Sequence, residues 1–103
     1  MAHDAAAIEN KAYLSVYGVL DDVCFSEQVP AGTRGAIHSA IDGLRRVRAP
    51  AAHVSTAESI AVALHKLEWA VRNGDREAQA AARDELRMLG ASWLQTPMRL
   101  VRH

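Results

Sequence analysis

Histidine is the first residue type to weigh in this chain, because imidazole ligates metals and changes charge near neutral pH. His38, His53, His65 and His103 are the candidates. Helical metal sites place their ligands three or four residues apart. Only His38 with Asp42 and His65 with Glu68 meet that spacing, and two ligands do not hold zinc. These histidines therefore read as surface groups beside an acid, and no metal is expected. The nucleophiles are no better placed. Cys24 falls on an apolar helical stripe, where a buried thiol is inert, and Asp21 and Asp22 beside it disfavour a thiolate. The two aspartates are adjacent, so on a helix they diverge by about 100° and cannot face each other as a catalytic pair. Ser15, Ser39, Ser55, Ser59 and Ser92 lack a nucleophile-elbow setting. Gly32 and Gly35 lack the strand-then-helix context of a phosphate loop. No catalytic residue and no cofactor are expected, and the chain does not read as an enzyme.

The elements that would position these residues are helices. Tyr13, Val16, Tyr17, Leu20, Val23 and Cys24 recur at steps of three and four, which predicts a helix from about Asp4, its cap, to Cys24. Gly18 inside it marks either a close approach of another backbone or a mild helix defect. Pro30 and Gly32 break the pattern, and Thr33 is the expected cap of a second helix carrying Ile37, Ala40, Ile41, Leu44 and Val47. Pro50 ends it. A third helix is expected to start at Ser55 or Thr56, with Glu58 at capping-box spacing from Ser55. Its core face is Ile60, Ala63, Leu64, Leu67 and Val71. Asn73-Gly74 closes it, with Gly74 in the left-handed conformation. Asp75 opens a fourth helix bearing Ala78, Ala82, Leu86, Leu89 and Trp93; Pro97 stops it, and Gly90 is a candidate interruption within it. No strand pattern is present. The expected fold is all-α, an antiparallel four-helix bundle over residues 1–103 as a single domain, with a short fifth helix or extended tail after Pro97.

Composition narrows the partners. Twelve acids balance twelve bases, giving a net charge of +0, so the basic footprint of a nucleic-acid binder is absent and self-association is permitted. Residues 1–29 carry five acids against Lys11, whereas residues 30–53 carry Arg34, Arg45, Arg46 and Arg48 against Asp42. Attraction between the first two helices accounts for this asymmetry; docking of an acidic partner on the basic end of helix two is the sharper account. Arg45, Arg46 and Arg48 lack interleaved aromatics, and Pro50 makes the following link too long for a helix-turn-helix. A single cysteine, no apolar run of spanning length and no signal segment point to the cytoplasm and away from the membrane.

One likeness to a catalytic class arises. Histidine phosphotransfer domains are four-helix bundles of similar length, and Leu67-Glu68, Arg72-Asn73-Gly74-Asp75 and Ala78 resemble their later helices. That resemblance implies a phosphoacceptor at His38 or His65. The Lys and Gly that follow such a histidine by three and four residues are replaced by Ile41 and Asp42 after His38, and by Glu68 and Trp69 after His65.

The most informative leftover is a second line on helix three. Val62, His65 and Trp69 fall three and four residues apart, away from Ile60, Leu64 and Leu67. Such a helix is either central in its bundle or partnered outside it, and Trp is enriched at binding hot spots. The functional expectation is a small non-catalytic module that regulates or bridges a protein partner, itself included as a homodimer. Its contact surface would be Val62, His65 and Trp69, rimmed by Arg45, Arg46 and Arg48. The rivals are the phosphotransfer-like signalling domain and a phage- or plasmid-encoded inhibitor of a host complex.

Overall fold

The computed structural model describes residues 2–24, 29 and 32–94, with the side chains of 2–6, 24 and 94 excepted. Within them lie four helices and no strand: α1 (Ala2–Cys24), α2 (Thr33–Arg46), α3 (Ala51–Arg72) and α4 (Arg76–Leu94). Each helix packs on the next, and α1 closes the ring against α4. Neighbours run antiparallel. Arg34 and Arg45 at the two ends of α2 meet Glu68 and Glu58 of α3 in reverse order, and Lys66 of α3 reaches Glu85 of α4. The bundle measures 47 × 23 × 21 Å. No described helix is long and apolar enough to cross a membrane.

The periodic stripes do form the core. Tyr13, Val16, Leu20 and Val23 meet Ile37, Ile41 and Leu44, Ile60, Leu64 and Leu67, and Leu86 and Trp93. Small residues let the helices close up. A Cβ on Gly43 would sit 3.4 Å from Ile8 and 3.5 Å from Ala12, so α2 lies against α1 at that point. Gly18 is exposed, with nothing within 4 Å of a built Cβ; of its two readings, the helix defect stands. Gly90 does not interrupt α4, which runs through it to Leu94.

Helix ends depart from expectation in instructive ways. Asp4 lies inside the first turn of α1, not ahead of it. Gly32, at φ 86°, takes the N-cap position of α2, and Thr33 is its first, buried residue. The largest correction concerns α3, which starts at Ala51 and not at Ser55 or Thr56. The Pro50 carbonyl accepts from His53 and Val54 N–H at 2.9 and 3.2 Å, and this supplies the first turn without a side-chain cap. Thr56 bonds back to the Ala52 carbonyl at 2.9 Å, as a mid-helix Thr does. Glu58 is drawn away to Arg45, so the capping box does not form.

Both tight links share one design. After α2, Ala49 N–H returns to the Leu44 carbonyl and Arg48 N–H to that of Arg45. After α3, Asp75 N–H returns to Ala70 and Gly74 N–H to Val71. Each is a Schellman closure requiring a left-handed residue. Gly74 fills that role at φ 65°, as its position predicts, but Arg48 fills it at φ 56° with a side chain. Asp75 does not open α4 as its first residue but caps it from just ahead, its Oδ1 accepting from Ala78 N–H at 3.0 Å. The region after Pro97, including Met98, Leu100, Val101 and His103, lies outside the described residues, as does the Cys24 side chain.

Candidate functional site

The second line on α3 faces outward. Val62 and Trp69 are 55% and 52% exposed, and His65 between them is exposed. Leu14 on α1 and Met88 on α4 are the other exposed large apolar side chains among the described residues. Each of those stands alone on its helix, whereas α3 puts two on one line. Scattered single apolar groups need no explanation, but an aligned pair at helical spacing does.

The line extends beyond the three residues named from sequence. Glu58, Val62, His65, Trp69 and Arg72 follow at steps of four, three, four and three, and all five are exposed. That is two heptads of a seam, about four helical turns, with Val62 and Trp69 in one position and Glu58, His65 and Arg72 in the other. Beside it, Trp69 and His65 border a groove of about 410 Å³ whose other wall is Ala78, Ala81, Ala82 and Glu85 of α4, with Lys66 at its edge. Alanines on α4 keep that wall low, and Trp69 stays half exposed.

Flanking charges hold the seam in place. Arg34 presents its guanidinium fork to Glu68, Nε to Oε1 and Nη2 to Oε2, both at 3.3 Å. The same Nη2 donates to His65 Nδ1 at 3.1 Å. A guanidinium only donates, so Nδ1 is the acceptor and the imidazole carries its proton on Nε2. Lys66 and Glu85 pair at 3.6 Å on the α4 side. At the C-terminal end, the Trp69 carbonyl accepts from Asn73 N–H at 3.0 Å and Asn73 Nδ2 at 2.8 Å, which anchors the backbone that carries the indole.

The three arginines expected as a rim do not lie together. Arg45 adjoins the seam through its ion pair with Glu58. Arg46 lines a different cavity of about 330 Å³ between α1 and α2, with Lys11, Ser15, Ser39 and Asp42. Arg48 sits in the α2–α3 turn. Arg34, about three turns before Arg45 on α2, is the arginine at His65. Sequence reasoning missed it because only tertiary packing brings residue 34 beside residues 65 and 68.

The remaining histidines separate by environment. His38 is exposed on α2. His53 is half-buried and hydrogen-bonded through Nδ1 to the Tyr13 hydroxyl. Its ring meets that of Tyr13 edge-on at 5.6 Å, and Trp93 lies tilted against Tyr13 at 5.3 Å. With Tyr13 and Trp93 both buried, this trio binds α1, α3 and α4 together and offers no surface for a ligand. Among the described residues no group of three or more His, Cys, Asp or Glu is placed to hold a metal ion. Comparison with protein-family models, curated proteins and solved structures finds no match in any of the three.

Proposed function

We propose that this protein is a non-catalytic helical interaction module that regulates or bridges a protein partner through the outer face of α3. The supporting observation is the half-exposed Trp69 aligned with Val62 on a heptad seam, beside an alanine-walled groove. A half-exposed indole leaves apolar area in water that association would remove, at roughly 25 cal/mol per Å². Val62, His65 and Trp69 form the contact line, and Arg45 with its partner Glu58 borders it. Arg46 and Arg48 stand apart from it.

The test compares the parent with Trp69→Ala, each purified from its native host under identical conditions, with bound proteins and self-association both quantified. Far-UV circular dichroism checks that both are folded. Loss or strong weakening of an association in the variant is the expected result. An unchanged set of associations, self-association included, sinks the reading.

A further inference from the structure

We propose that the occupant of the α3 seam is a second copy of this chain, docked with its α3 antiparallel. This deepens the interaction reading above and rests on it. The argument is the order of side chains about His65. Glu58 lies seven residues before it and Arg72 seven after; Val62 lies three before and Trp69 four after. A helix crossing its own copy antiparallel with His65 at the two-fold axis therefore sets Glu58 against Arg72 of the second copy, at both ends. The same register sets Val62 within one residue, about 1.5 Å of rise, of Trp69 of the second copy, twice. One surface then complements itself, as a closed two-fold dimer requires.

The parallel alternative has the opposite consequence. It would bring Glu58 to Glu58 and Arg72 to Arg72, placing like charges at each end, which association disfavours. The flanks do not decide the orientation, because Arg34 is already paired with Glu68 and Lys66 with Glu85. Arg45 occupies only Oε2 of Glu58; an ionised carboxylate has further acceptor sites, so Oε1 can take Arg72 of the second copy. The Glu58–Arg72 stretch of each helix spans about 21 Å, two heptads of contact. An interface of this size is at the small end of specific ones, so a reversible monomer–dimer equilibrium is expected.

The test is sedimentation equilibrium of the full chain at low salt, up to about 500 µM protein. The parent should dimerise. Glu58→Arg and Arg72→Glu should each weaken the dimer by about tenfold or more, since each places like charges at both ends. The double variant, carrying both reversals on one chain, should recover to within about threefold of the parent. A mixture of the two single variants should form a heterodimer more tightly than either associates alone. A dimer that Trp69→Ala abolishes but the charge reversals leave untouched overturns the antiparallel pairing while the α3 surface stands. A parent that stays monomeric overturns the second copy as occupant. If Trp69→Ala then releases a different protein partner, the surface reading survives; a dimer indifferent to Trp69→Ala overturns the α3 seam as its interface, and with every other association also unchanged it ends both.

Discussion

At the scale of single residues, the backbone of Arg48 is the clearest liability. Its φ of 56° lies in the left-handed region, where a Cβ crowds the carbonyl and costs roughly 1 kcal/mol or more. The α2 closure needs that conformation, because Ala49 and Arg48 N–H groups return to the helix only through it. Glycine fits without the clash, though it also loosens the unfolded chain. Arg48→Gly should therefore stabilise the fold by about 0.5 to 1 kcal/mol, read as a higher urea midpoint at unchanged slope. A lower midpoint would mean that the Arg48 side chain contributes more than its backbone costs. Trp69 and Trp93 show the same dependence on place. One is half exposed and the other fully buried, although both sit on apolar helical lines.

At the scale of the helices, most of the architecture follows from local rules, and the glycines separate local cost from packing need. Gly18 is exposed and meets nothing, whereas Gly43 lets α2 touch Ile8 and Ala12. Gly18→Ala should raise stability by about 0.5 to 1 kcal/mol, the difference in helix propensity. Gly43→Ala gains the same propensity but sets its Cβ 3.4 Å from Ile8, at the lower edge of ordinary contact, so its gain should be smaller. Thermal unfolding of the two variants side by side checks this; equal gains would show that the α1–α2 approach is looser than described. Helix α3 is held on both flanks. Arg34 and Arg45 hold it from α2, Lys66–Glu85 from α4, and the Asn73 cap at its end. Exposed pairs of this kind each contribute little to stability.

At the scale of the whole molecule, the bundle divides its two tryptophans between inside and outside. Trp93 closes the end of the core with Tyr13 and His53. Among the described residues its Nε1 is buried without a hydrogen-bond acceptor, a local cost that burial of the ring must outweigh. Trp93→Ala should cost about 3 to 5 kcal/mol, a large share of the roughly 5 to 15 kcal/mol that holds such a domain together. Trp69→Ala should cost the monomer only about 1 kcal/mol, because half the ring is already in water. Denaturation at protein concentrations low enough to dissociate any dimer measures both. Similar losses for the two would contradict the division of inner and outer faces. In a dimer, Trp69→Ala would additionally remove the rise in melting temperature with protein concentration that association imposes.

What the chain's residues determine alone is the number of helices, their inner faces and the Gly74–Asp75 turn. These depend on contacts three or four residues apart and on the backbone freedom of single positions. Ile37, Ile41 and Leu44, or Ile60, Leu64 and Leu67, announce a buried face by spacing, and they are buried. The start of α3 is not legible: Ser55 and Glu58 match a local capping pattern, but the Pro50 carbonyl already opens the helix by accepting from His53 and Val54 N–H, and Glu58 pairs with Arg45 on another helix. Nor could periodicity say whether Val62, His65 and Trp69 point into the bundle or away from it, since both faces of α3 repeat with the same period. Only packing answers that. With α2 and α4 covering the flanks and α1 across the ring, the side of α3 opposite its core face has no helix left among the described residues to cover it.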